Sequence, residues 1–247
     1  MVDLSTVTAH ELGKCFDQSV LPKQVTEEDI RLGCRQAVKY NCASFYSSGA
    51  YWTPVVLEEL AGSDVLPAAA IGFPFGSATS AAKARETEEA VARGCRALDT
   101  VMNIGALRSG HFDDVREETR AFRAAAGDAV TKVILETCYL SDDEIKRATA
   151  ILVEEGIDYA KTSSGQFEGP SMEQTLLMID VARGSDTKVK VAGVKFPRPQ
   201  NAYAFLLAGV DLIGTRDAPT IIDALDQMRE IGLVPAYRGP AEERLSA

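Results

Sequence analysis

Thr187-Lys-Val-Lys-Val-Ala-Gly193 sets a lysine, Lys190, inside an apolar run about as long as a β-strand. A strand interior is a costly place for an ammonium unless its charge is paired, its pKa is shifted or it performs chemistry. One apolar run earlier, Asp158-Tyr-Ala-Lys-Thr-Ser-Ser164 repeats the anomaly with Lys161. Side chains alternate along a strand. With Val189 and Val191 facing outward, Lys190 points inward, and Ala160 places Lys161 in the same way.

Around both runs one pattern recurs: a short apolar stretch, a few small or polar residues, a capped helix, and another apolar stretch. Ser141-Asp-Asp-Glu144 reads as a capping box, followed by Ile145, Ala148, Ile151 and Leu152 at helical spacing and a stop at Gly156. Ser171-Met-Glu-Gln174 repeats the device, with Gly184 at the far end. Thr53-Pro54 opens a helix that Gly62 closes, Pro199 and Gly209 bracket another, Pro219 starts the last, and Gly94 and Gly127 end two in the middle. Strands are expected near 12–17, 42–46, 66–72, 97–102, 130–136, 157–162, 188–192 and 211–214. Runs such as Val133-Ile-Leu135 and Asp211-Leu-Ile213 are apolar on both faces, as when helices cover a parallel sheet. Eight such alternations in 247 residues predict an α/β chain folded as one (β/α)8 TIM barrel domain over 1–247. There is room for an extra N-terminal helix, and the polar tail 236–247 is expected to be mobile, with Tyr237 reaching an active site only by folding back.

Composition narrows the function. A net charge of −10 argues against a nucleic-acid groove, because phosphate backbones need clustered Lys and Arg. No run of about 18 apolar residues appears, and Met1-Val-Asp-Leu-Ser5 lacks the basic and apolar regions of a secretory signal, so the expectation is a cytoplasmic protein with no membrane partner. The five cysteines are odd in number and lack CxxC spacing, which disfavours a disulfide scaffold or a zinc ribbon. His10 and His111 are the only histidines and sit among polar neighbours, so no metal site is expected.

Barrel geometry gives the two lysines a task. Strands six and seven are neighbours at roughly 4.8 Å, and both lysines are expected toward the C-terminal strand ends, the face where barrel enzymes carry catalysis. A like charge and desolvation both depress an ammonium pKa. A neutral lysine attacks an aldehyde or ketone to form a Schiff base, an electron sink through which a carbon–carbon bond forms or breaks without a metal or organic cofactor. A carboxylate is needed to shuttle protons. Asp99, in Ala97-Leu-Asp-Thr-Val-Met-Asn103, shares the inward face of strand four with Val101, and Asp17 is expected to end strand one. Such carboxylates also offset the cost of burying the ammonium groups.

Lys161-Thr-Ser-Ser-Gly165, Ile71-Gly-Phe-Pro-Phe-Gly76, Asn103-Ile-Gly-Ala-Leu-Arg-Ser-Gly110, Glu136-Thr-Cys-Tyr-Leu140 and Asp17-Gln-Ser-Val-Leu-Pro22 together resemble the deoxyribose-phosphate aldolase family, over roughly residues 12–215. The resemblance implies a metal-independent class I aldolase that cleaves 2-deoxy-D-ribose 5-phosphate reversibly to acetaldehyde and D-glyceraldehyde 3-phosphate. It implies Lys161 as the Schiff-base lysine, Lys190 as the second lysine that lowers its pKa, Asp99 as the proton-relay carboxylate and Asp17 as a further active-site carboxylate. It also implies a homodimer or higher homo-oligomer, although no segment identifies an interface.

The chain departs from the family's usual sequence at three places. Lys190-Val-Ala-Gly-Val-Lys-Phe196 stands where the family usually reads Lys-Ala-Ser-Gly-Gly-Ile-Arg, Gly214-Thr-Arg-Asp217 where it reads Gly-Thr-Ser-Ser, and Phe45-Tyr-Ser-Ser-Gly-Ala50 where it reads Val-Cys-Val-Asn-Pro-Ser. Paired glycines let backbone amides approach a phosphate, and Val194 removes that freedom. Arg216, Lys195 or Arg198 is then expected to hold the substrate's anion by its side chain, with Gly193, Thr162, Ser163 and Asp17 completing the substrate-binding set. The alternatives are a related Schiff-base lyase acting on an unphosphorylated or carboxylated substrate, and a non-catalytic sugar-phosphate-binding barrel.

Overall fold

Local chemistry sets where the helices begin. Thr26, Ser141 and Ser171 each accept a hydrogen bond from the backbone three residues on, and Asp29, Glu144 and Gln174 return one, so the helices Glu27–Lys39, Asp142–Glu154 and Met172–Ala182 each open on a capping box. At the helix Thr53–Leu60 the N-cap is Trp52, and Thr53 is already helical, its Oγ1 lying 3.5 Å from Cys95 Sγ. Pro219 sits in the short helix Ala218–Asp223, and a separate helix, Leu225–Glu230, ends the fold.

The computed structural model describes residues 2–239. Eight parallel strands close into a barrel in sequence order: β1 Phe16–Val20, β2 Ser44–Ser47, β3 Leu66–Ile71, β4 Ala97–Val101, β5 Val130–Ile134, β6 Tyr159–Lys161, β7 Lys188–Ala192 and β8 Leu212–Thr215. Strand parity follows from one outward residue on each. Phe16, Phe45, Ala69, Leu98, Val133, Ala160, Val189 and Ile213 all belong to the apolar layer between barrel and helices. Burying a large aliphatic or aromatic side chain there contributes about 1.5–3 kcal/mol, so a one-residue register slip is strongly opposed. The alternate residues face inward, among them Asp17, Tyr46, Asp99, Lys132, Lys161 and Lys190. Tyr46, Ala68 and Ala97 form a small separate apolar cluster inside.

The first strand lies at 16–20, later than the expected 12–17. Thr8 forms a capping box with Glu11 that turns Ala9–Leu12 into a helix, and a 3-10 turn, Gly13–Cys15, follows. Asp17 is therefore near the start of β1 and deep in the barrel, not at the strand's end. The N-terminal helix that the sequence left room for is this short one. In the tail, Arg238 N–H donates to Ser5 O at 2.7 Å, and the Arg229 guanidinium lies 4.9 Å from the Tyr237 ring, so this tyrosine packs beside the N-terminal segment, away from the lysines. The rest of the tail expected to be mobile, residues 240–247, lies outside the described residues.

Candidate active site

Register brings the charged residues together. Lys161 on β6 is directly paired with Lys190 on β7, and Asp99 on β4 with Lys132 on β5. Asp99 Oδ2 accepts hydrogen bonds from Lys161 Nζ at 2.6 Å and from Lys190 Nζ at 2.7 Å. Asp17 Oδ2 lies 2.7 Å from Lys190 Nζ and 3.2 Å from Lys132 Nζ, while its Oδ1 accepts from Ser44 Oγ. Lys132 Nζ also donates to the Tyr46 hydroxyl at 2.8 Å and lies 4.0 Å from Asp99 Oδ1. All five charged groups are buried. Room for them comes from small inward residues: a Cβ on Gly214 would stand 3.0 Å from Lys190 Cε.

Three ammonium groups face two carboxylates, and the low dielectric makes this imbalance matter. Burial is the largest influence on Lys161 and drives its pKa down; Asp99 opposes, Lys190 adds to the fall, and the result is about 8. Burial also pushes Lys190 down, but Asp17 and Asp99 outweigh it and hold this ammonium above the ordinary lysine range. Lys132 is lowered, chiefly by burial, with Asp17 opposing. Burial would raise Asp99, yet Lys161, Lys190 and Lys132 together keep it well below the usual carboxylate range; against the same burial, Lys132 and Lys190 lower Asp17. Lys161 thus gives up its proton far more readily than an ordinary lysine, while its strand partner stays charged.

Lys161 is the last residue of β6, whereas Lys190 stands in the middle of β7, deeper than the sequence suggested for a strand-end residue. Above them opens a cavity of about 410 Å³, lined at its base by Asp17, Tyr46, Asp99, Lys161 and Lys190. Its upper wall is made by the loops after β6, β7 and β8, and contains Gly193, Lys195 and Arg216. Two of those loops meet backbone to backbone: Gly193 has φ +76°, and a Cβ on Gly169 would lie 1.9 Å from Gly193 O. Lys195 pairs with Glu168 at 2.8 Å and Arg198 with Asp217 at 3.3 Å. Arg216 is exposed and has no ion-pair partner among the described residues.

Two residues expected to bind substrate lie off the cavity wall. Thr162 is fully buried between strands, its Oγ1 accepting from Ala192 N–H at 3.2 Å, and Ser163 is buried behind the loop. Ser164 and Gly165 line the cavity instead. Ser164 N–H donates to the Glu136 carboxylate, at 3.1 and 3.2 Å from its two oxygens. Glu136 is buried in a left-handed backbone conformation, and burial raises its pKa. Sequence reasoning missed Lys132 and did not assign Tyr46 a role. The signal for Lys132 was present: Val130-Thr-Lys-Val-Ile134 is a third apolar run with a lysine at an inward position.

Among the described residues no group of three or more His, Cys, Asp and Glu could hold a metal ion, and no helix is long and apolar enough to cross a membrane. Cys15, Cys34, Cys42 and Cys95 are buried free thiols and Cys138 is half-buried, its pKa raised by burial, so no activated thiol accompanies the lysines. Both histidines are exposed.

Comparison with known proteins adds to this geometry. Residues 13–196 match the DeoC/LacD family of aldolases. The chain is similar to the deoxyribose-phosphate aldolase of Clostridium novyi, with 37% identity over 213 residues covering 86% of this chain and 95% of that protein. Among solved structures, QR15, an aldolase, superposes with a TM-score of 0.81 at 30% identity, covering 90% of this chain and 99% of that one. The fold is shared with the tetrameric deoxyribose phosphate aldolase of Aeropyrum pernix, at a TM-score of 0.79 and 24% identity, covering 90% of this chain and 93% of that one.

Proposed function

This chain belongs to the DeoC/LacD family of aldolases and is a carbon–carbon lyase, and from that premise we propose that it cleaves 2-deoxy-D-ribose 5-phosphate reversibly through an imine on Lys161. The observation that carries the reading is the pair of lysines sharing one carboxylate oxygen of Asp99 at the base of an open cavity. In this reading the neutral Lys161 amine adds to the C1 aldehyde of the open-chain sugar, and loss of water gives a protonated imine. Removal of the 3-hydroxyl proton lets the C2–C3 bond break toward the imine, releasing D-glyceraldehyde 3-phosphate and leaving an enamine. Protonation at C2 and hydrolysis then return acetaldehyde and free Lys161. Asp99, in contact with both ammonium groups, is the shuttle for these protons, and Lys190 keeps its charge throughout. Lys132 and Asp17 complete the charge balance beneath it.

The imine is the electron sink, so the reaction calls for no metal or organic cofactor; incubation with a chelator is expected to leave the rate unchanged, and a loss restored by a divalent ion would contradict this. Free thiols suit a cytoplasmic enzyme, and a homo-oligomer is the expected assembly.

At the far end of the substrate, Arg216 is the cation best placed to hold a phosphate, since Lys195 and Arg198 each have a carboxylate partner. Gly193, with its open backbone, completes that end of the site. Arg216→Ala is expected to raise KM for deoxyribose 5-phosphate by roughly 10- to 100-fold, the weight of a charge-assisted hydrogen bond. Cleavage of unphosphorylated deoxyribose should stay within about twofold by the same reasoning. An equal loss on both sugars would remove Arg216 from the phosphate site. The function itself is tested by comparing cleavage of deoxyribose 5-phosphate, deoxyribose and carboxylated analogues. Val194 and Arg216, standing in for the usual glycine and serine, favour a second reading in which a different anionic tail is the better substrate. A rate highest with the phosphate and strictly dependent on it would rule that reading out.

A further inference from the structure

Tyr46 stands at the base of the cavity where the usual family sequence has a cysteine, and the chemistry above does not use it. Its ring centroid lies 4.4 Å from Lys190 Nζ, 5.0 Å from Lys132 Nζ and 5.9 Å from Lys161 Nζ. Its hydroxyl accepts the 2.8 Å hydrogen bond from Lys132.

Three buried lysines against two carboxylates leave one positive charge in excess, and a buried excess charge is relieved when one group gives up its proton. Lys190 is held by two carboxylate contacts of 2.7 Å and is the last to do so. The choice lies between Lys161, with one contact of 2.6 Å, and Lys132, whose carboxylate contacts are longer, at 3.2 and 4.0 Å. On carboxylates alone Lys132 would be the lysine to lose its proton. The Tyr46 hydroxyl is the additional acceptor that Lys132 has and Lys161 lacks.

Resting on the reading of Lys161 as the imine-forming amine, we infer that the Tyr46 hydroxyl decides which lysine is neutral: by accepting from Lys132 it keeps that ammonium charged and leaves Lys161 as the free amine. Tyr46 is thus a positioning residue that acts through Lys132. The other groups around Lys132 agree with this role. β1 offers Asp17, β4 Asp99, β6 Lys161 and the Tyr159 ring 5.4 Å away, and β7 Lys190; the inward residues of β3 and β8, Leu66, Ala68, Ala70, Leu212 and Gly214, carry no charge. The Lys188 ammonium lies 5.8 Å from the Tyr159 ring centroid, and this lysine begins β7 as an exposed residue. Burial pushes the Tyr46 phenol well above its ordinary range and Tyr159 up to about 12, so both are neutral, and the Tyr46 oxygen is available as an acceptor.

The test is the pH dependence of borohydride trapping of acetaldehyde on Lys161, followed by peptide mass spectrometry in the full-length protein. Tyr46→Phe keeps the ring and excludes water but removes the acceptor. The midpoint for Lys161 trapping should rise by about one pH unit, which at pH 7 is roughly tenfold slower trapping that recovers in alkali. Lys132→Gln removes the competing amine, leaves two ammonium groups against two carboxylates, and should also move the midpoint upward. In the Lys132→Gln background, Tyr46→Phe should add no further shift. An unchanged midpoint in Tyr46→Phe, or the same shift with and without Lys132, overturns the inference. Should Tyr46→Phe not fold, an unchanged midpoint in Lys132→Gln overturns it and an upward one supports it. Absence of any adduct in the unaltered protein would instead overturn the imine on Lys161 itself.

Discussion

Replacing Lys161 with alanine is expected to lower kcat by about 10⁴-fold or more, as loss of a covalent nucleophile does in other enzymes, with little change in thermal stability. The second half of that expectation is the more discriminating. If Lys161 is the neutral member of the cluster, its loss leaves Lys190 and Lys132 facing Asp17 and Asp99, two charges against two. No carboxylate is stranded, because Asp99 keeps its 2.7 Å contact with Lys190. A cavity remains, but it opens onto the pocket above, so collapse or hydration limits the cost. A thermal melt within a few degrees of the parent, beside a steady-state assay with no turnover, is the predicted combination. A large fall in stability would mean that Lys161 is a charged structural partner of Asp99.

Lys190→Leu is expected to give the opposite balance: a measurable residual rate, a shifted pH profile and a less stable protein. Lys190 is the only lysine in close contact with both carboxylates. Without it, Asp99 is left to Lys161 and Asp17 to Lys132. Both remaining lysines are then drawn into the charged state. Lys161 loses a repelling neighbour and gains a larger share of Asp99, and both changes raise its pKa from about 8. The alkaline shift of the kcat/KM profile should be at least about one unit, with a fall of roughly 100-fold at pH 7 once proton transfer is also impaired. Removing one partner of a buried ion pair costs about 3–5 kcal/mol, or roughly 10 °C in Tm for a chain of this size. Folded Asp99 and Asp17, held below their ordinary range, stabilise the protein above the unfolded carboxylate pKa; that contribution is lost as pH falls through their folded values. The variant should therefore be less sensitive to acid than the parent. A profile with an unchanged acidic limb, the limb set by deprotonation of Lys161, would break the link between the two lysines.

Much of this was legible in the sequence because parity and capping are local. Ala160 and Val189 fix which way Lys161 and Lys190 face, and the pairs Ser141 with Glu144 and Ser171 with Gln174 locate two helices. Closure of β1 on β8 was less legible, since β1 carries Asp17 and Gln18 and has little apolar signal of its own. That is why its start was placed too early and Asp17 too shallow. Lys132 stayed hidden for another reason: its role depends on Asp17, 115 positions away in the chain, and on Tyr46, 86 away, so no short motif joins them. Thr162 and Ser163 sit next to Lys161 in sequence, but the chain turns after β6 so that Thr162 bonds to Ala192 and Ser164 faces the cavity. Adjacency in a motif did not predict which serine lines the cavity.

The claim on which the account rests is that Lys161, and not Lys190 or Lys132, forms the imine. Borohydride reduction in the presence of acetaldehyde, followed by peptide mapping, measures this directly. The predicted result is a single added ethyl group on the peptide containing Lys161; an adduct on Lys190 or Lys132, or none at all, would contradict it.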